Sequence, residues 1–300
     1  MVTNPVDATR LGLGSVQWGQ RYGIANTAGQ PSSGEVSAMI ALAGEAGVRT
    51  IDTARDYAAS EELIGTLVPR EGWRIVTKLT AQLPVSSPED AVIATTASVQ
   101  ASLEALRTER LDTLLVHRIE HLSSWGGAVW RVLVELRDAG RIRRLGVSAL
   151  GPEQAWAALE HPEVDVIQVA SSLLDQRLFR GGYFEAAAAR GKEVFVRSVF
   201  LQGVAHLQLD QLPPGLVTLG ESLTRIRELA ATQEWPAFAP FLYFAYGIPG
   251  ARVVIGAETA GQVRACLYEW SMARDRHPDV RELAEAIPML PDAVLNPWEW

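Results

Sequence analysis

Short apolar runs separated by longer amphipathic stretches recur along the chain. The runs are RLGLGSV (10–16), VRTIDTA (48–54), WRIVTKL (73–79), LDTLLVH (111–117), RRLGVSA (143–149), VDVIQVA (164–170), EVFVRSV (193–199) and ARVVIGA (251–257). Most are apolar on both faces, as parallel strands covered by helices should be. Between them lie helix signals. Ser32 stands at capping-box spacing from Glu35 before VSAMIALAGEAG. Ser87-Pro88-Glu89-Asp90 supplies an N-cap, a proline at the first helical position and acids in the first turn. The helix behind it is predicted to set Val92, Thr96, Val99, Leu103 and Leu106 on one face. WRVLVELRDAG (130–140) and YFEAAAARG (183–191) end in glycine, a common helix stop. Leu223, Ile226, Leu229 and Ala230 mark a helix near 221–233, and Thr259 with Gln262 forms another capping pair before VRACLYEW.

Strand and helix thus alternate about eight times in 300 residues. That count favours an α/β fold of the (α/β)8 TIM-barrel type, eight parallel strands closed within outer helices, over an open doubly wound sheet. No GxGxxG follows the first strand, which weakens a Rossmann reading further. No linker interrupts the pattern, so a single domain over 1–300 is expected. Its tail from about 271, which includes LNPWEW, is expected to fold back over one face.

Composition narrows the partners. At 48% hydrophobic and 21% charged, the chain can bury a large core. The net charge is −8 and no basic stripe is present, which argues against nucleic acid or an anionic membrane. The most apolar stretch, FAPFLYFAYGIPG (238–250), is too short and too proline-broken to span a bilayer. MVTNPVDATR has no cationic, apolar leader pattern, so cytoplasm is the expected compartment. The single Cys266 excludes an internal disulfide and a multi-cysteine metal site, and it reads as a packing residue. No spaced His/Asp/Glu cluster suggests a metal. His121, His161, His206 and His277 are expected at the surface or in packing. Oligomeric state is not encoded legibly.

One bias changes the picture. Of 27 basic residues only two are lysines, Lys78 and Lys192. A compact ammonium does what a guanidinium does not, because it can shift its pKa. In a barrel, functional groups collect where strands end. The second strand ends near Asp52 with Tyr57 in the loop beyond, the third at Lys78 and the fourth at His117. A free tyrosine has a pKa of ~10, and an ammonium beside a phenol favours its ionised form. A carboxylate holds such an ammonium in place, and an imidazole can bond a substrate oxygen or share its proton. These are the parts needed to protonate a carbonyl oxygen as hydride reaches its carbon. Trp18 and Tyr22 follow the first strand and Arg118 follows His117, which makes them candidate substrate contacts. Trp298 and Trp300 are further candidates for the pocket wall.

From LGLGSVQWG to VIGAETAGQV the sequence resembles the aldo-keto reductases, most specifically in DTARDYAASE followed by TK and LLVH. The resemblance implies an (α/β)8 barrel that reduces aldehydes and ketones with a nicotinamide cofactor, with the catalytic Asp, Tyr, Lys and His on Asp52, Tyr57, Lys78 and His117. Ala58 stands where the family usually has glycine. On the cofactor side the resemblance assigns Ser148 and Gln168 to the nicotinamide amide, with Ala149 replacing the usual asparagine. Arg197 takes the place of an aromatic residue in RSVFLQG, a stretch that adds Ser198, Phe200 and Gln202 as candidate cofactor contacts. After the eighth strand, Gly256, Ala257, Glu258, Thr259 and Gln262 open a helix whose N–H groups suit a phosphate. Ala265 and Cys266 replace the Glu-Asn pair that often contacts adenine.

The resemblance implies NADP(H). Glu258, where many relatives carry a base, points instead to NAD(H), because an acid repels the 2′-phosphate and accepts from a free ribose hydroxyl. Both stay open, and Arg264 one turn on is a possible phosphate partner. The expected substrate is a small carbonyl or alcohol, such as a sugar or a secondary-metabolite carbonyl, and the reaction could run in either direction. The alternative is a cofactor-binding sensor or regulatory protein on the same barrel, with little turnover.

Overall fold

The computed structural model describes residues 8–69, 71–276 and 279–296. Eight strands close into an all-parallel barrel in chain order, each pairing with the next and the last with the first. They are β1 Leu11–Gly14, β2 Thr50–Asp52, β3 Arg74–Lys78, β4 Thr113–Val116, β5 Leu145–Ser148, β6 Val166–Ala170, β7 Glu193–Arg197 and β8 Arg252–Gly256. All eight lie inside the runs that the sequence pattern predicted.

Side chains alternate across a strand, so every second residue shares a face. In β3 that series is Arg74, Val76 and Lys78; in β7 it is Glu193, Phe195 and Arg197. The middle members Val76, Leu115, Val166, Phe195 and Val254 form an apolar cluster of their own. Gly146 belongs to this level of β5, where a Cβ would strike the Val166 carbonyl at 2.1 Å and Leu115 at 2.6 Å. Below the cluster, Glu193 collects Arg74, Arg144 and Arg252 at the strand starts. Above it, at the strand ends, the same alternation delivers Asp52, Lys78, Ser148, Gln168 and Arg197.

The outer helices follow their caps. Ser32 Oγ accepts from the Glu35 N–H and Ser87 Oγ from the Asp90 N–H. The helices ending at Asp138 and Ala189 stop before Gly140 and Gly191, both at positive φ. In helix Pro88–Ala105 the inward face is Ala91, Thr95, Val99, Ser102 and Leu103. The expected Val92 and Thr96 are exposed instead, because the buried face starts one position earlier, through Ala91 and Thr95. The stretch that resembled a broken membrane segment is helix Ala239–Gly247, buried nearly all round. Among the described residues no helix is long and apolar enough to cross a membrane.

The last barrel helix runs from Ala260 to Arg276, so the tail begins later than 271. Its helices Val280–Glu285 and Asp292–Leu295 are tied to the segment after β6. Arg180 donates to the Ala284 carbonyl at 2.8 Å, and Arg177 pairs with Asp292 at 3.2 Å.

Candidate active site

Lys78 is 1% exposed and points up from the end of β3. Its three N–H donors go to Asp52 Oδ1 at 2.8 Å, Asp52 Oδ2 at 2.9 Å and the Thr53 carbonyl at 2.8 Å. A buried ammonium is tolerable only with this degree of pairing. Gln168 Nε2 donates to Asp52 Oδ1 at 2.7 Å and its Oε1 lies 3.3 Å from the Ser148 hydroxyl. The amide expected to hold nicotinamide therefore braces the carboxylate in this structure.

Tyr57 is brought over this pair by its loop. Its ring centroid lies 5.0 Å from Lys78 Nζ and 6.3 Å from the His117 ring, edge-on. The loop is fixed on both sides. Asp56 accepts from the Thr80 hydroxyl and the Ala81 N–H, both at 2.7 Å. Ser60 reaches Ser15 Oγ at 2.6 Å, and Gly19 packs so closely that a Cβ would lie 1.8 Å from the Tyr57 carbonyl oxygen. Ala58 takes φ 45°, the left-handed region a family glycine enters without strain. Behind the loop, buried Glu61 pairs with Arg55 at 2.6 Å and accepts from the Thr77 hydroxyl at 2.6 Å.

His117 follows β4, with Nδ1 3.6 Å from Asp56 Oδ2 and without a hydrogen-bond partner among the described residues. Burial, with the Lys78 and Arg197 cations adding, pulls its pKa down to about 4 against the opposing pull of Asp56 and Asp52. The imidazole is therefore neutral at pH 7 and presents an uncharged donor.

The Asp52 carboxylate, the Tyr57 phenol and the His117 imidazole open on one cavity of about 580 Å³, and Lys78 lies buried behind them. Asp52, Tyr57, His117 and Tyr22 line it at the barrel centre. Ser148, Gln168, Arg197, Ser198, Phe200 and Gln202 continue it, and Gly256, Glu258 and Gln262 carry it to the last helix. Arg197 donates to the Ala149 carbonyl at 3.0 Å and to Ser198 Oγ at 3.2 Å, so its guanidinium is held at the cavity wall. Burial pushes the Tyr22 phenol up, with Arg197 opposing.

Four expected contacts fall elsewhere. Trp18 is 1% exposed within the core, because the short helix Val16–Gly19 turns its ring under the rim. Arg118 is half-exposed and faces Glu120 at 3.5 Å, away from the cavity. Ala257 is buried behind the wall, and Thr259 Oγ1 caps the helix by accepting from the Gln262 N–H at 3.2 Å. The helix start is also less open than expected. Gln262 Oε1 accepts from the Glu258 N–H at 2.6 Å, and a Glu35 carboxylate oxygen accepts from the Ala260 N–H at 2.6 Å.

Sequence reasoning missed other wall residues. His206, expected in ordinary packing, lines the cavity between Phe200 and Phe238, with ring centroids 4.9 and 4.2 Å away. Gln17, Glu269 and Leu295 also line it. Cys266 does too, but burial and then Glu269 push its thiol up to about 12, so it is no nucleophile. His277, Trp298 and Trp300 lie outside the described residues. Among those described, no group of three potential metal ligands is present.

The family model for the aldo/keto reductase family matches residues 10–235. An aldo-keto reductase of Mycolicibacterium smegmatis is 31% identical over 157 residues, covering 50% of this chain and 55% of that protein. The chain thus spans about half the length of the curated relatives it matches. Among solved structures, an aldo-keto reductase of Bacillus halodurans in its holo form superposes with a TM-score of 0.71 at 21% identity, covering 95% of each chain. A glycerol dehydrogenase of Gluconobacter oxydans gives 0.67 at 20% identity, covering 94% of each. These two share the fold. The match over residues 10–235, most of the barrel, is the stronger finding: the chain belongs to the aldo/keto reductase family.

Proposed function

We propose that this chain is an NAD(P)H-dependent oxidoreductase that interconverts a small aldehyde or ketone with its alcohol. The observation that carries the reading is the fully buried Lys78 ammonium, gripped by Asp52 and held 5.0 Å from the Tyr57 ring at the base of a large cavity. A nicotinamide cofactor, when bound, supplies or takes the hydride. Tyr57 gives its proton to the carbonyl oxygen, and Lys78 balances the phenolate that results. Asp52 fixes Lys78, and neutral His117 donates a hydrogen bond that orients the carbonyl. In the reverse direction Tyr57 takes the alcohol proton.

The cavity fits such a group. It runs from Tyr57 to the last helix, and the Gln17 Oε1 on its wall is buried without a partner. Gln17, Arg197, Gln202, Gly256, Glu258 and Gln262 are the residues that would hold the dinucleotide. NADH is favoured over NADPH. Glu258 sits on the wall, and the N–H groups of Glu258 and Ala260 are already occupied by Gln262 and Glu35. A 2′-phosphate would meet carboxylates where it needs donors. The tail contributes Leu295 to the wall and so to substrate choice.

The test is titration with NADH and NADPH by nicotinamide fluorescence, followed by oxidation of the bound cofactor against a panel of aldehydes, ketones and sugars. Binding with turnover on at least one carbonyl is expected. Binding without turnover on any member would defeat the enzymatic reading.

A further inference from the structure

Arg197 closes β7 and lines the cavity. Its Nη2 donates to the Ala149 carbonyl, just past β5, at 3.0 Å, and its Nη1 to the Ser198 hydroxyl at 3.2 Å. The guanidinium is therefore drawn across the end of β6 towards β5, the neighbour of the strand that His117 follows. Burial dominates the protonation of His117 and of Tyr22, and the Arg197 charge bears on both. Tyr22 in turn feels Tyr57. The segment that carries Tyr22 is tied to the one after Arg197 by the Ile24 N–H, which donates to the Gln202 carbonyl at 3.1 Å. Arg197 thus stands at the Tyr57 end of the cavity, where a substrate would react.

What this cation lacks is an anion. A guanidinium has five N–H donors, and the two bonds above leave three without a partner among the described residues. No described carboxylate pairs with it. The acids around Tyr57 are taken: Asp52 holds Lys78, and Asp56 accepts from Thr80 and Ala81. Other half-buried arginines are matched. Arg74, Arg144 and Arg252 share Glu193, Arg55 has Glu61 and Arg177 has Asp175. A half-buried cation without an anion is costly, and its free N–H edge is the fork that fits a carboxylate. A guanidinium takes flat groups on its face and anions on its edge, so a place on the dinucleotide's wall leaves this edge to another ligand.

We propose that Arg197 selects anionic substrates, gripping a carboxylate of the compound whose carbonyl meets Tyr57 and His117. The substrate class is a short oxo acid or aldehyde acid, interconverted with its hydroxy acid. The assignment rests on the oxidoreductase reading above and adds the substrate's charge to it. Burial raises the Tyr22 phenol, with Arg197 opposing, so the neighbouring hydroxyl stays protonated and brings no competing anion.

The experiment measures steady-state kinetics with saturating reduced cofactor on acids beside their neutral isosteres. The probes are glyoxylate, succinate semialdehyde and 4-carboxybenzaldehyde, each paired with its primary amide. At least one acid should exceed its amide by about 10- to 100-fold in kcat/KM, mainly through KM, which is what hydrogen bonds to a charged group are worth. Arg197→Met keeps the length, removes the charge and should bring that pair within about 2-fold. Arg197→Lys keeps a point charge without the fork and should retain a smaller preference in the same direction. The ratio within a pair is the readout, because a change in cofactor binding weighs on both members alike. Amides reduced as well as their acids, or a preference that survives Arg197→Met, overturns the assignment and leaves the oxidoreductase reading intact. So does turnover on other carbonyls with none on these acids. Bound cofactor that no carbonyl oxidises overturns both.

Discussion

Gln168 Nε2 donates at 2.7 Å to the same Asp52 oxygen that holds the Lys78 ammonium at 2.8 Å. β6 thereby braces a carboxylate on β2 that anchors a lysine on β3. Replacing Gln168 by Met keeps the volume but leaves that oxygen one donor short. Turnover should fall about 10²-fold, as small misplacements of catalytic groups do. Stability should fall by about 1.5–3 kcal/mol, the range for a hydrogen bond to a charged group, because Lys78 still donates to that oxygen. Steady-state kinetics beside urea unfolding checks both; unchanged kinetics would mean that the brace is not used.

Much of this arrangement is legible in the sequence because a parallel barrel leaves few choices. Two-sided burial makes its strands conspicuous, and the alternation that puts Val76 in the apolar layer necessarily puts Lys78 one pleat above it. Lysine scarcity is informative for the same chemical reason at both positions. Lys78 uses three donors on Asp52 and Thr53, and Lys192 caps three carbonyls, those of His161, Pro162 and Val164. What residue type does not encode is the path of the loops. Trp18 and Tyr22 share a loop, yet a single turn of helix sends one into the core and leaves the other on the wall. His206 and Phe238 reach the cavity through the long excursion between β7 and β8, and Glu269 does so only because its helix faces inward at that turn.

Acid should weaken the fold through His117. Its unfolded pKa is ~6.5 and its folded value is about 4, so the unfolded chain binds the proton first as pH falls. The contribution is complete above about pH 6.5 and lost towards pH 4, amounting to about 3 kcal/mol. His117→Gln should flatten the difference between urea melts at pH 7 and pH 4.5. The imidazole stays neutral above about pH 5, so turnover should show no His117 limb between pH 6 and 8.

Glu193 acts at a lower pH. Burial opposes its charge, but Arg74, Arg144 and Arg252 together hold it down to about 2. Its stabilisation is present above ~4.5, the ordinary glutamate range, and disappears as pH falls towards 2. Glu193→Gln leaves three guanidiniums without their anion at the barrel floor and should cost about 3–5 kcal/mol. Thermal unfolding at pH 7 measures the loss, and a shift of only a degree or two would refute the clustering as a structural keystone.

Cofactor choice should respond to the two carboxylates at the last helix. Glu35→Ala frees the Ala260 N–H and Glu258→Arg replaces repulsion by attraction. Together they should raise NADPH affinity relative to NADH by about 10-fold or more, each charge change at a helix start being worth about 1 kcal/mol. Titration of wild type and double variant with both nucleotides decides the matter; a wild type that already prefers NADPH contradicts it.

The central claim is that Tyr57 is the proton donor, placed by its loop and served by Lys78. Tyr57→Phe removes one hydroxyl and keeps the ring over the ammonium. Turnover on the best carbonyl of the panel should fall about 10²–10⁴-fold, the range for loss of a general acid, with nicotinamide binding unchanged. Near-normal turnover in that variant, with binding intact, would contradict the account.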